Sequence, residues 1–114
     1  MGHDPVRSAG VIHKSEILAA GRGTRLGALT ADRPKPMIPV RGIPVLEHIV
    51  VGLRESGIDA FLLVVGYKAE AIRDHFGDGE AWGVRIEYAE QSPQMGIGRN
   101  LRWAAGQDIL LLAI

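Results

Sequence analysis

The strongest constraint in this chain is the run Leu18-Ala19-Ala20-Gly21-Arg22-Gly23-Thr24-Arg25-Leu26, followed nine residues later by Lys35 within Arg33-Pro34-Lys35-Pro36-Met37. An apolar strand end breaks there into a glycine turn edged by a hydroxyl and a guanidinium. An ammonium then returns on a segment stiffened by proline. Glycines let backbone N–H groups come close to phosphate oxygens. Arg25 suits bidentate binding of oxygens, and Lys35 supplies a compact point charge. Together these groups suit a nucleoside triphosphate. The run is not a Walker A loop, which needs Gly, four residues and then Gly-Lys-Ser/Thr. Nor does it fit the dinucleotide fingerprint: its third small position is Leu26, and Gly27, Pro34, Pro36 and Pro39 interrupt any helix that would have to follow.

The alternation of elements fixes the fold class. Ile17–Ala19 ends a first strand. Phe61-Leu62-Leu63-Val64-Val65 is a continuous apolar run, as in a parallel strand buried on both faces. Val84–Tyr88 alternates, as a strand with one wetter face does. Residues 109–113 make a fourth strand. Between them, Pro44 suits a helix first turn, and Val45, Leu46, Ile49, Val50 and Leu53 recur at helical spacing before Gly57. Residues 68–76 read as a second helix and residues 101–105 as a weaker third. This order predicts right-handed βαβ units and an α/β, three-layer, mostly parallel sheet. Ligands in such sheets bind beyond the carboxyl ends of the strands. The Gly21 turn, Gly66-Tyr67 and Glu90-Gln91 should therefore gather on one edge.

Composition narrows the function. Thirteen basic and thirteen acidic residues balance to zero net charge, which argues against binding nucleic acid through bulk charge. The cations at Arg22, Arg25, Arg33 and Lys35 are clustered, as a small anionic ligand requires. With no cysteine there is no disulfide framework, zinc–thiolate site or cysteine nucleophile. No apolar run approaches the ~20 residues of a membrane span, and a cytoplasmic protein is the default expectation. Residues 1–12 are expected to be a disordered extension, and residues 13–114 the N-terminal part of one domain.

The run from Ile17 to Val40 resembles the signature of the sugar-1-phosphate nucleotidyltransferases, or nucleotide-sugar pyrophosphorylases. The likeness continues through Gly42-x-Pro44, Val65-Gly66-Tyr67, Phe76-Gly77-Asp78-Gly79, Trp82-Gly83-Val84 and Gln91, roughly residues 14 to 112. It implies a Rossmann-like nucleotidyltransferase fold and transfer of a nucleoside monophosphate from a nucleoside triphosphate to a sugar-1-phosphate, with release of pyrophosphate. It also implies nucleotide contacts from Leu18, Ala20, Gly21, Gly23, Thr24 and Arg25. Arg25 and Lys35 would act on the transferring phosphoryl group, and Gln91 and the Gly96 backbone would read the base. Mg²⁺ is the implied cofactor. Homo-oligomerisation stays open, and neither nucleic acid nor a membrane is expected as a partner.

Other residues read as structural: Gly79, Trp82 and Gly83 as packing, His48 and His75 as ordinary helix residues, Met37 as an apolar contact near the site. Two departures stand out. Glu16 replaces an aliphatic residue of the family. An unpaired buried carboxylate costs several kcal/mol or stays protonated, so Glu16 is expected at an exposed strand start, or else this copy is damaged. Arg99-Asn100 is a milder mismatch. The aspartate that binds Mg²⁺ in the family would lie just after Ile114, and Asp108 stands at the wrong end of its strand. The 114 residues alone are thus expected to be an inactive nucleotide-binding half. The alternative, a non-catalytic nucleotide-binding or regulatory module, is opposed by the intact Arg25 and Lys35.

Overall fold

A computed structural model describes residues 12–21, 27, 31–91 and 108–114. Four strands form one sheet: β1 (Lys14–Ala19), β4 (Ala60–Val65), β5 (Arg85–Glu90) and β6 (Ile109–Ala113). Their order is β5-β4-β1-β6, and every pairing is parallel. The strand expected over Phe61–Val65 is present one residue longer, and all six of its residues are buried. Such a strand lies at the centre of the sheet because no face of it tolerates water.

The predicted helices are present as α1 (Val45–Glu55) and α2 (Ala69–Phe76). Leu46 and Val50 of α1, with Ala69, Ile72 and Phe76 of α2, join Ile17, Ala19, Phe61, Leu63, Val65 and Ile86 in one buried cluster. Those strand residues alternate along each strand and are in register across the sheet, so both helices cover the same face. The third helix expected over residues 101–105, and the extension over residues 1–12 except Ile12, lie outside the described residues.

Two features escape periodicity. Strands β2 (Pro39–Val40) and β3 (Ile43–Pro44) form a small antiparallel hairpin. Its two turn residues, Arg41 and Gly42, both have positive φ, 56° and 79°, the backbone of a type I′ turn. A short 3₁₀ helix over Lys35–Met37 precedes the hairpin.

Glu16 overturns the first of its two expectations, an exposed strand start. It is the third residue of β1, stands in register with Leu62 and Leu111 and is only 2% exposed. The strand starts earlier than Ile17 because Lys14 and Ser15 already pair with β4 and β6, and this carries Glu16 inside. Glu16 has an interaction partner within the fold. Among the described residues no buried side-chain nitrogen or oxygen lacks a hydrogen-bond partner.

Candidate nucleotide site at the carboxyl edge

Parallel register places the strand ends side by side. Ala19 is level with Val65, and Val65 with Glu90. The residues that follow, Ala20-Gly21, Gly66 and Gln91, therefore lie on one edge of the sheet, as the strand pattern predicts. The chain leaves β1 toward β4 and β5 on one side, while β6 lies on the other. Strand order thus reverses at the β1/β6 boundary. Open α/β sheets hold their ligands at this kind of switch point, and Ala20-Gly21 stand on it. The Ile114 N–H donates to the Leu18 carbonyl at 3.1 Å. A Cβ on Gly21 would lie 3.8 Å from the Ile114 carbonyl oxygen. Gly21 is exposed and Ala20 half-buried, which leaves backbone rather than side chain facing this corner.

Gln91 is exposed at the end of β5, and its backbone N–H donates to the Val65 carbonyl at 2.9 Å. The backbone is fixed while the amide side chain stays at the surface. An amide offers both a donor and an acceptor, the pairing that recognition of a base edge needs.

Lys35 opens the 3₁₀ helix between Pro34 and Pro36, both of which are fully buried. The Met37 N–H closes the turn on the Pro34 carbonyl at 2.9 Å. This short helix touches both α1 and α2, and Met37 packs against the buried cluster. A stiff, anchored segment therefore carries the half-buried lysine. Gly23, Thr24, Arg25 and Gly96 lie outside the described residues. Of the predicted site residues, Leu18, Ala20, Gly21 and Gln91 are thus gathered at the carboxyl edge, and Lys35 sits on the segment packed against the helices.

The histidines serve packing. His48 Nε2 donates to the Val40 carbonyl at 2.8 Å and ties the hairpin to α1. His75 Nε2 lies 2.7 Å from Glu47 Oε1, in an aromatic group with Phe76 and Trp82. The hydrogen bond from His75, aided by one from the Trp82 side chain, holds the Glu47 carboxyl below the usual carboxylate range against the opposing effect of burial. The Tyr88 hydroxyl donates to the Gly77 carbonyl at 2.7 Å, and burial pushes its pKa up. Among the described residues no group of three or more His, Cys, Asp or Glu side chains is placed to hold a metal ion. Also among them, no helix is long and apolar enough to cross a membrane.

Neither the close packing of Gly66 nor the backbone of Lys68 is legible in the sequence pattern, where Gly66 marks only the edge. Lys68 adopts a left-handed backbone, φ 52° and ψ 44°, and α2 starts directly after it, with three residues between β4 and α2. Its ammonium stands 5.6 Å above the centre of the Tyr67 ring. The available signal was a glycine directly after a wholly buried strand, where the chain must turn at once.

Comparison with known proteins agrees with the fold. The sequence profile of the nucleotidyl transferase family matches residues 14–107, and the chain belongs to that family. It is 38% identical over 91 residues to mannose-1-phosphate guanylyltransferase of Mycobacterium tuberculosis, covering 80% of this chain and 25% of that protein. It is 47% identical over 85 residues to UTP–glucose-1-phosphate uridylyltransferase AglF of Haloferax volcanii, covering 75% of this chain and 35% of that one. A solved Bacillus anthracis structure assigned as a glucose-1-phosphate thymidylyltransferase, in complex with a sucrose, superposes with TM-score 0.74 at 28% identity, over 88% of this chain and 43% of its own. The chain thus spans about a quarter to a third of the length of these two curated relatives.

Proposed function

We propose that this chain supplies the nucleotide-binding part of a sugar-1-phosphate nucleotidyltransferase. The observation that carries the reading is the exposed Gly21 at the point where strand order reverses, with Gln91 on the same edge. In the reaction, a sugar-1-phosphate oxygen attacks the α-phosphorus of a nucleoside triphosphate. The bond from that phosphorus to the bridging oxygen breaks, and pyrophosphate leaves with the electron pair. No covalent enzyme intermediate is needed. Phosphoryl transfer of this kind relies on positioning and charge.

Each residue has a part in that scheme. The backbone from Leu18 through Ala20, Gly21, Gly23 and Thr24 cradles the nucleotide. Arg25 grips the outer phosphates, and Lys35, aimed by its buried prolines, offsets charge as it shifts onto the leaving group. Gln91 and the Gly96 backbone read the base edge. Mg²⁺ is the cofactor this reading calls for, accompanying the triphosphate. The guanylyl, uridylyl and thymidylyl transferases among the relatives leave the base open.

Titration calorimetry with nucleoside triphosphates tests the reading. Binding to the wild-type chain, weakened in Arg25→Ala by at least the ~1.5–3 kcal/mol of a hydrogen bond to a charged group, supports it. Equal affinity in the two chains places the site elsewhere. Pyrophosphate release with a sugar-1-phosphate and Mg²⁺ should stay at background for the 114 residues alone. A steady rate well above background would mean that these residues suffice.

A further inference from the structure

The peptide joining Val65 to Gly66 touches both halves of the carboxyl edge. Its carbonyl, that of Val65, accepts the Gln91 backbone N–H at 2.9 Å. Its other end, Gly66, lies against the glycine turn: a Cβ built there would meet the Ala20 Cβ at 3.1 Å and the Ala20 carbonyl oxygen at 3.3 Å. The Gly66 carbonyl in turn accepts the Ala69 N–H at 3.1 Å, which ties this corner to the first turn of α2. With both carbonyls held, the corner has little freedom to retreat from an added side chain.

We propose that Gly66 is a positioning residue whose missing side chain sets the separation between the Ala20-Gly21 turn and Gln91, and thereby selects the nucleoside. This rests on the reading of the carboxyl edge as a nucleotide site. Strands β1 and β5 are two spacings apart, about 10 Å, with β4 between them. A ligand with its phosphates on the Gly21 turn and its base on Gln91 must cross the end of β4. A methyl group at Gly66 makes contacts tighter than ordinary packing, and Ala20 has to give by a few tenths of an ångström. Base reading rests on directional hydrogen bonds of fixed length. Phosphate binding by backbone and cations is more forgiving. The substitution should therefore separate the two.

The test is calorimetric binding of ATP, UTP and inorganic triphosphate to the wild-type chain, to Gly66→Ala and to the double variant Gly66→Ala/Ala20→Gly. In Gly66→Ala, affinity for the nucleoside triphosphates should fall at least tenfold and the ATP-to-UTP ratio should change at least threefold. Affinity for inorganic triphosphate should change less than twofold. Removing the Ala20 methyl, the nearest obstruction, should restore most of the loss. A purely structural role would lower the melting temperature without altering base preference. Parallel loss of all three ligands, or unchanged nucleoside binding and base preference in a folded Gly66→Ala chain, overturns the proposal. If Gly66→Ala does not fold, the double variant decides: its methyl still meets the Ala20 carbonyl oxygen at 3.3 Å, so a shifted ATP-to-UTP ratio with inorganic triphosphate affinity unchanged supports the proposal, and a wild-type ratio overturns it. A wild-type chain that binds inorganic triphosphate as tightly as ATP and UTP overturns this inference and leaves the turn as a phosphate site. A chain that binds none of the three overturns the nucleotide reading itself.

Discussion

The two ends of the sheet are built from similar residues to opposite purpose. At the amino end, loops are tied down by hydrogen bonds. The Asp59 N–H donates to the His13 carbonyl at 2.9 Å, the Arg85 N–H to the Asp59 carbonyl at 2.9 Å, and the Ile86 N–H to the Asp78 carbonyl at 2.9 Å. Of the glycines there, Gly57, Gly77 and Gly83 are exposed, whereas Gly79 is buried, and a Cβ on it would lie 2.7 Å from the Val84 carbonyl oxygen. At the carboxyl end, Gly21 and Gly66 are exposed, and their neighbours are the small Ala20 and the polar Gln91. Gly79 is needed for the chain to close. Gly21 and Gly66 leave room at an edge where a ligand can lie.

The largest expected effect tests that contrast on the closed side. Gly79 has φ 90°, so Gly79→Ala adds backbone strain to a collision with Val84 and Ile86. The expected destabilisation is about 3–5 kcal/mol, the sum of the two penalties. Urea unfolding measures it. A loss below about 1 kcal/mol would mean that the two ends do not differ as described.

Lys35 sharpens the open side. In a chain extended to its relatives' length with the acceptor half, Lys35→Ala should lower turnover by ~10²–10³, the size of losing one preorganised electrostatic group. The Michaelis constant for the triphosphate should move less, because charge shifts most in the transition state. Steady-state kinetics read both. Unchanged turnover with a raised Michaelis constant would make Lys35 a simple binding residue.

Two smaller effects belong to the packing between the ends. Tyr88→Phe removes the donor to the Gly77 carbonyl and should cost about 1 kcal/mol, measured by the same unfolding curves. Glu47 has its carboxyl held low in the fold by His75. Its contribution to stability is therefore fully present above the ordinary carboxylate pKa and is lost as pH falls through the lowered value. His75→Ala should flatten that acid limb, by about 1 kcal/mol or less. Identical stability-versus-pH curves for the two chains would assign the acid limb to other groups.

What could be read ahead of the structure follows physical scale. Phe61–Val65 and the Val45–Leu53 periodicity each bury a whole face, so their pattern carries through into β4 and α1. The strands at Pro39–Val40 and Ile43–Pro44 are two residues each, shorter than any period, and Arg41-Gly42 is a weak form of the turn signal. Glu16 misled because a charge ordinarily marks a surface, whereas here the pairing of Lys14 and Ser15 draws the strand start inward. The glycine turn and Lys35 enter the proposed site as residue types with a specific chemistry, and Gln91 enters it through the family resemblance. The role assigned to Gly66 was not legible, because it lies in a close approach to Ala20 that arises only when β1 and β4 pair.

The central claim is that the carboxyl edge, and not the closed amino end, receives a nucleotide. Titrating a ¹⁵N-labelled chain with nucleoside triphosphates while following backbone amide shifts tests it most directly. The account predicts saturable shifts at Gly21, Gly66 and Gln91, with none at the shallow amino-end depression lined by Asp78, Glu80, Gly83, Val84 and Arg85. Shifts centred on that depression, or no saturable shift at Gly21 and Gln91, would contradict it.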